Sequence, residues 1–266
     1  MQNKTTYSRS GKRQHEGVAR AGAWVTTMAA VFAALSVQGQ TNAPAVEEKS
    51  PWEGSAALGL TLTRGNSDTT LFNLNIQGDR KKGKTELHLG LDGTYGESDG
   101  TKNNEQIKGT GQYNRTFGNE DRWYFYGRLE AYHDGIADID GRFTLSPGMG
   151  YYFIKNEKIS LRGEIGPGAV IEKLGGEDWD AYCTLRVAER FEYTINDRAK
   201  LWQSIEFLPE VTDFNNYIMN AEVGIETGIT EKWALRVVFQ DSYDSQPAPG
   251  RESNDMKLVA GVAYKF

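Results

Sequence analysis

The sequence has little of several things: one cysteine, three histidines and seven prolines in 266 residues, and no succession of long apolar runs. A membrane-spanning helix needs about 20 consecutive apolar residues, so a protein with several such helices is excluded. The one cysteine, Cys183, cannot form a disulfide within the chain, and one cysteine with three histidines cannot build a cysteine-rich zinc site. A disulfide scaffold and a zinc ribbon are therefore excluded as well.

The chain also lacks an excess of basic residues, because 36 acidic side chains outnumber 30 basic ones. Removing residues 1–39 would take away five basic side chains and one acidic one, so the net charge would change from −6 to −10. Nucleic-acid binding depends on basic surfaces that displace counterions. We therefore expect no nucleic-acid partner.

The N-terminal segment predicts export. Residues 1–20 are basic, residues 21–37 carry no charge, and Val37-Gln38-Gly39 suits signal-peptidase cleavage before Gln40. The alternative, a single transmembrane anchor, is disfavoured because the apolar run is short and rich in Ala and Thr. We predict a signal peptide over residues 1–39 and a short disordered periplasmic leader over residues 40–51.

From residue 52 to residue 266, apolar and polar side chains alternate, which is the period of a β-strand. Twelve such segments follow one another, and in the second, for example, Phe72, Leu74 and Ile76 alternate with Asn73 and Asn75. No helical stretch of 10–15 residues separates them, so the strands cannot be joined by the crossovers that parallel pairing requires. The sequence therefore predicts an antiparallel all-β domain over residues 52–266.

The connections between segments alternate in length. Five are short and polar: 81–84, 118–121, 155–158, 196–198 and 230–232. The others are mostly longer: 96–103, 135–140, 173–179, 212–216 and 243–254, with only 65–68 short among them. Short turns at one end and longer loops at the other are typical of up-and-down outer-membrane barrels, with both chain ends on the short-turn side.

A secreted β-sandwich would show the same alternation, but two features favour a transmembrane barrel. Aromatic residues fall near both ends of the apolar stripes, as in the interfacial belts of membrane proteins; they are Trp123, Tyr151, Phe153, Tyr193, Trp233, Tyr264 and Phe266 at the short-turn end, and Tyr95, Phe143, Trp179 and Tyr217 at the other. Charged residues occupy the opposite face at mid-strand, and we predict that they line the lumen: Arg128, Glu130, Arg162, Glu164, Arg186, Arg190, Glu206, Glu222 and Arg236.

The last six residues, Gly261-Val262-Ala263-Tyr264-Lys265-Phe266, resemble the C-terminal signal by which outer-membrane proteins engage the barrel-assembly machinery. The barrel as a whole resembles the domain of unknown function 481 family, uncharacterised proteins described as salt-induced outer-membrane proteins. Four segments carry this resemblance: Gly65-Asn66-Ser67-Asp68-Thr69, Tyr95-Gly96-Glu97-Ser98-Asp99-Gly100, Gly166-Pro167-Gly168 and Glu206-Phe207-Leu208-Pro209. The resemblance implies an outer-membrane location and the barrel fold, and it brings no catalytic residue.

The sequence offers little catalytic chemistry. His133 lies on the apolar phase of the fifth segment, where a lipid-modifying base could work, but the facing phase of the sixth has no serine to activate. His88 is expected among lumen-lining polar groups, and acidic loop residues such as Asp138 are expected to be solvated rather than to bind cations. We predict no enzyme activity, no cofactor and no metal site.

Four glycines fall on the inward phase of the sixth and seventh segments: Gly148, Gly150, Gly166 and Gly168. We expect Tyr124, Tyr126 and Tyr152 to cover them, since aromatic side chains pack over strand glycines in this way.

The sequence thus predicts a monomeric barrel of about 12 strands in the bacterial outer membrane, in contact with its lipids. A barrel of this size lies between those filled by side chains and those with an open channel. The first hypothesis is a narrow, weakly selective passage for small hydrophilic solutes or ions, linked to osmotic conditions. The alternatives are a barrel with a closed lumen whose loops meet a partner and, third, a lipid-modifying enzyme at the rim.

Overall fold

The computed structural model describes residues 51–63, 69–118 and 120–266, with the side chains of residues 61–63 left out. The predicted signal peptide, residues 40–50 of the predicted leader, and the turn at residues 65–68 lie outside the described residues. The described part contains twelve strands: β1 (Trp52–Thr63), β2 (Thr69–Lys82), β3 (Thr85–Ser98), β4 (Thr101–Phe117), β5 (Trp123–Asp134), β6 (Ile139–Lys155), β7 (Ile159–Leu174), β8 (Asp180–Asn196), β9 (Ala199–Pro209), β10 (Tyr217–Gly228), β11 (Trp233–Asp244) and β12 (Asn254–Lys265). No helix in these residues is long and apolar enough to cross a bilayer.

The twelve strands form one closed barrel in which each strand pairs antiparallel with its neighbours in sequence. β12 closes the barrel on β1, with Val262 opposite Leu58 and Lys265 opposite Ser55. Backbone hydrogen bonds join Gly54 and Phe266 in both directions, at 2.9 and 3.0 Å. The predicted all-β, up-and-down, twelve-stranded barrel is therefore confirmed, and closure leaves no sheet edge without a partner.

The outer face of the sheet is apolar and the inner face is polar, as a barrel in a membrane requires. Large apolar side chains project outward and are exposed, among them Leu258 at 69 % and Leu60 at 65 % of full accessibility. Charged side chains such as Glu226 and Arg236 are buried inside, at 1 % and 6 %. A protein folded in water buries its apolar residues, so this inversion is the mark of a barrel surrounded by lipid.

Aromatic side chains contact one another near both ends of the barrel. The end where β1 begins and β12 stops is called here the terminal end. There the tilted rings of Trp123 and Tyr151 are 4.6 Å apart, and the edge-to-face rings of Trp233 and Tyr264 are 5.0 Å apart, between ring centroids. At the opposite, loop end, Phe143 stacks on Trp179 at 6.1 Å. These contacts hold amphipathic rings where a membrane interface lies.

The expected difference in loop length is only partly present. The predicted loop at residues 96–103 is wrong: β3 continues to Ser98, β4 starts at Thr101, and a two-residue turn joins them. Its residues Asp99 and Gly100 both have positive φ, 49° and 74°, as a tight hairpin turn of the primed type needs. The Asp-Gly pair was the sequence signal for this turn. Two loops are long, residues 210–216 and 245–253.

Tyrosines cover two of the four inward glycines, as predicted. A Cβ atom on Gly150 would lie 2.1 Å from the Tyr124 ring, and one on Gly148 would lie 2.5 Å from the Tyr126 hydroxyl.

The other two glycines serve a different purpose. A Cβ on Gly166 would lie 2.1 Å from the Pro147 carbonyl oxygen, and the β6–β7 pairing is interrupted between Leu145 and Met149. Proline has no N–H for the ladder, so glycine lets the two backbones approach here. The expectation that tyrosines cover Gly166 and Gly168 is therefore wrong.

Some polar side chains interrupt the apolar exterior. Glu189 lies opposite Gly163 and Ile205, in the outward-facing row of β8, and Gln203 lies opposite Phe191 on β9. Lipid-facing carboxyl groups lower barrel stability according to their depth. The sequence pattern did not predict an outward-facing Glu189, because the other residues on this phase of β8 are apolar.

Candidate functional site

The lumen holds an elongated cavity of about 680 Å³. It runs from Lys81 and Glu192 near the terminal end to Arg142 and Ser242 near the loop end. All nine charged residues selected from the sequence border it. Side chains along a β-strand alternate between the two faces of the sheet, and these nine lie on the face toward the lumen.

Glu164 of β7 is the centre of a buried hydrogen-bond network. Its carboxylate accepts hydrogen bonds from the Arg186 guanidinium at 2.7 Å, from the Tyr124 hydroxyl at 2.8 Å and from the Gln112 amide at 2.8 Å. These donors come from β8, β5 and β4. A buried carboxylate with three donors, one of them charged, is well satisfied, and it fixes this wall of the lumen.

A second carboxylate links Arg186 to the middle of the lumen. Glu206 of β9 accepts from Arg186 at 2.5 Å and lies 3.6 Å from the Arg128 guanidinium. Arg128 also donates to Glu130 at 2.9 Å, and Lys108 lies 3.8 Å from Glu130. Lys108 and Glu130 lie on neighbouring strands, as do Arg186 and Glu206. The contact between Arg128 and Glu206 joins β5 to β9 and therefore crosses the bore.

Arg236 secures the closing seam of the barrel from inside. It donates to Glu226 at 2.9 and 2.6 Å, to the Asn75 side-chain oxygen at 2.7 Å and to the Ser55 hydroxyl at 2.9 Å. The guanidinium thus reaches from β11 across β12 to β1 and β2. Gly261 of β12 faces inward beneath this span, and a Cβ there would lie 2.6 Å from a backbone oxygen of Leu58.

Two carboxylates in the lumen are held by neutral donors. Glu222 accepts from the Trp202 indole at 2.7 Å and from Gln240 at 2.9 Å, and Asp92 accepts from Asn75 at 2.6 Å. The Trp202 ring covers Gly224 as the tyrosines cover theirs, since a Cβ there would lie 2.1 Å from the ring. This second aromatic cover was not predicted from the sequence, although Gly224 on the inward phase of β10 is a signal for it.

Lys257 of β12 reaches far across the lumen. Its ammonium donates to the Gln106 oxygen at 2.9 Å on β4 and to the Thr94 hydroxyl at 3.2 Å on β3. The side chain therefore narrows the bore by joining strands that are not neighbours.

At the loop end, a side-chain contact connects two strands on opposite sides of the barrel. Arg142 of β6 donates to Glu172 of β7 at 2.5 Å and to Asp244 of β11 at 2.5 Å. β6 and β11 are five strands apart in a barrel of twelve, so this bridge crosses the bore. Above it, Arg251 of the 245–253 loop pairs with Asp138 of the loop between β5 and β6. Arg142 was not among the predicted lumen residues, because those were the charged residues near mid-strand.

Arg162 and Arg190 place two like charges side by side on the wall of the lumen. They are directly opposite each other on β7 and β8. Arg190 donates to Glu192 at 2.6 Å, whereas the contact of the Arg162 guanidinium is the Tyr152 hydroxyl at 3.4 Å.

The histidines and the cysteine form no catalytic arrangement in the described residues. His88 contacts Asp79 at 2.5 Å inside the lumen, and the His133 ring contacts the backbone oxygen of Asp140 at 3.1 Å. Cys183 is exposed on the outward face. Within the described part of the chain, no group of three or more His, Cys, Asp or Glu side chains is arranged to hold a metal ion.

Comparison with protein families gives a match over most of the barrel. The family model described as a protein of unknown function, DUF481, matches residues 56–266. The chain belongs to this family. No curated protein matches the sequence.

Solved structures share the fold at low sequence identity. A structure described as the NanC porin has a TM-score of 0.51 and 7 % identity, and the match covers 80 % of this chain and all of that one. The translocator domain of the autotransporter NalP from Neisseria meningitidis has a TM-score of 0.40 and 14 % identity, with 93 % and 96 % covered. The first likeness shows that this DUF481 chain has the fold of outer-membrane porin barrels.

Proposed function

We propose that this protein is an outer-membrane barrel that provides a narrow, weakly selective passage for small hydrophilic solutes or ions. The terminal end would face the periplasm and the loop end the outside, as the short turns suggest. The observation that carries the proposal is the polar cavity of about 680 Å³ along the inside of the barrel. A barrel serving only as a scaffold has no need of such a water-accessible space.

The charges of the lumen support weak selectivity. Cations and carboxylates alternate along its walls and mostly pair, as Arg186 does with Glu164 and Glu206. Paired charges present little net field to a passing ion, so neither sign is strongly excluded. The bore would be narrowest where side chains cross it, at the Arg128–Glu206 contact, at Lys257 and at the Arg142–Asp244 bridge.

Conductance in a planar lipid bilayer tests the proposal. The purified protein should give discrete current steps in KCl, and Arg142→Met should give larger steps because the bridge to Asp244 is lost. Arg122→Met is a matched control, since Arg122 lies in the turn before β5 and pairs with Glu120 at 3.0 Å, away from the loop end. A membrane that stays silent with both the parent and the Arg142 variant would contradict a passage.

The second candidate is a barrel with a closed lumen whose loops bind a partner. The contacts of Arg142 and Arg251 at the loop end favour it, because together they join the β5–β6 region to β11 and its following loop. A silent bilayer combined with a correctly folded barrel is the result that this alternative predicts.

The remaining expectations belong to the same proposal. We propose a monomer exported by the predicted signal peptide, surrounded by outer-membrane lipids and inserted by the barrel-assembly machinery through residues 261–266. The hydrogen bonds between Phe266 and Gly54 support a role of this segment in closure. Removal of Phe266 should reduce the amount of folded barrel in outer-membrane fractions. A link to salt conditions rests on the family resemblance; higher amounts of the protein after a rise in external salt would support it.

A further inference from the structure

We infer that Arg162 and Arg190 form a subsite in the lumen for an anionic group, such as the carboxylate, phosphate or sulfate of a small water-soluble solute. This inference deepens the proposed function and rests on it in one respect: the anion is taken to be part of a solute that passes through the lumen. The observation behind it is a pair of directly opposed arginines on the wall of the cavity.

The two arginines place like charges opposite each other on neighbouring strands. Like charges directly opposite each other on neighbouring strands repel and destabilise the pair. Arg236 and Glu226 are a directly opposed pair of opposite charge in the lumen. Glu172 and Asp180 are opposed like charges, and there Arg142 supplies the opposite charge by donating to Glu172. A bound anion would compensate Arg162 and Arg190 in the same sense.

Arg162 also differs from the other lumen cations in its partners. Among the described residues, a carboxylate lies within salt-bridge distance of Arg128, Arg142, Arg186, Arg190 and Arg236, and none lies within that distance of Arg162. Lys257 shares this lack, but its ammonium is bound by Gln106 and Thr94. A guanidinium has five N–H donors, and that of Arg162 has one long contact, to the Tyr152 hydroxyl at 3.4 Å.

The neighbouring carboxylates are already engaged. Glu164, two residues along β7, accepts from Arg186, Tyr124 and Gln112. Glu192, two residues along β8, accepts from the Arg190 Nε at 2.6 Å. That bond uses the Nε donor of Arg190, and the guanidinium groups of Arg162 and Arg190 both border the cavity.

Guanidinium groups recognise carboxylate, phosphate and sulfate through parallel N–H···O hydrogen bonds. The pair lies toward the terminal end of the cavity, where Lys200 and Ser160 also border it. A solute entering or leaving at that end would therefore meet the two arginines.

The test is equilibrium dialysis of the full-length protein, folded in a zwitterionic detergent, against labelled inorganic sulfate at low ionic strength. We expect saturable binding of about one sulfate per chain. Arg162→Gln and Arg190→Gln should each weaken binding at least about tenfold, as the loss of hydrogen bonds to a charged group implies. Arg198→Gln is the control, since Arg198 is exposed in the turn between β8 and β9. Equal binding by the parent and both lumen variants, or none by the parent, overturns the subsite.

A second variant guards against misfolding. Arg162→Lys keeps the charge but loses the planar fork of donors, so we expect weaker binding than in the parent in a protein that remains folded. Folding is checked by circular dichroism and by the shifted gel migration of unheated barrel. If Arg162→Lys kept the full sulfate affinity, recognition by the planar guanidinium of Arg162 would be contradicted.

The sulfate-binding test and the conductance test can fail independently of each other. Dialysis needs no membrane, so a protein that binds sulfate but carries no current would contradict the passage and keep the subsite. A protein that conducts but binds no sulfate would do the reverse. If the protein conducts, the reversal potential in a KCl gradient should shift toward cation preference in Arg162→Gln and stay unchanged in Arg198→Gln.

Discussion

The two ends of the lumen are held by contacts of different kinds. In the terminal half, the network around Glu164 joins strands of one wall, from β4 to β8, and is buried. At the loop end, Arg142 joins β6 to β11, and an exposed pair, Arg251 and Asp138, joins two loops. The first arrangement stiffens a wall, whereas the second crosses the bore. Stability should therefore depend on the terminal half, and the width of the passage on the loop end.

The largest effect on stability is expected from Arg186→Met in the buried network. The substitution leaves Glu164 and Glu206 without their strongest donor, and breaking a buried ion pair in this way lowers the free energy of unfolding by about 3–5 kcal/mol. Urea unfolding of the protein in lipid vesicles measures the change. Arg198→Met, at an exposed turn, should change little; equal losses in both variants would contradict the special role of the terminal half.

A smaller loss is expected where a tyrosine covers a glycine. Gly150→Ala places a methyl group against the Tyr124 ring, which is fully buried, so the ring must move, at about 1–3 kcal/mol of unfolding free energy. Gly127→Ala on the neighbouring strand is the control, because a Cβ there meets nothing within 4 Å. If both alanine variants unfold at the same urea concentration, the close contact between Gly150 and the Tyr124 ring does not contribute to stability.

The smallest change in stability is expected at the loop end, from Arg251→Ser. The side chains of Arg251 and Asp138 are 40 % and 42 % exposed, and such surface pairs contribute under about 1 kcal/mol. The variant should nevertheless show larger or more frequent current steps, since one of the two loop-end connections is lost. A large drop in unfolding free energy with unchanged current would reverse the comparison between the two ends.

Much of the fold was predictable because lipid outside and water inside impose the alternation on every strand. The twelve segments, the inward phase of the nine charged residues and the tyrosine covers of Gly148 and Gly150 all follow from it. The hairpin at Asp99-Gly100 was missed because polar residues near the ends of β3 and β4 hide the strand pattern. Glu189 was missed because a single polar residue on the outward phase looks like an error in an otherwise apolar stripe.

The partners of the lumen side chains could not be predicted in the same way. Alternation says that Arg142 and Asp244 point inward, but they are 102 residues apart, and their contact depends on the curvature and stagger of the closed sheet. The same holds for Lys257 and Gln106 across the bore. Alternation also does not specify which inward residues of neighbouring strands are opposite each other, as Arg162 and Arg190 are.

The sequence by itself determined the strand count, the antiparallel order and which side chains face lipid, because these depend on a two-residue period and on nearest-neighbour connections. Only the tertiary structure decided which inward charges meet and where the bore is crossed. Those properties arise when β12 closes on β1, since closure fixes the radius and stagger that bring residues from distant strands to the same level.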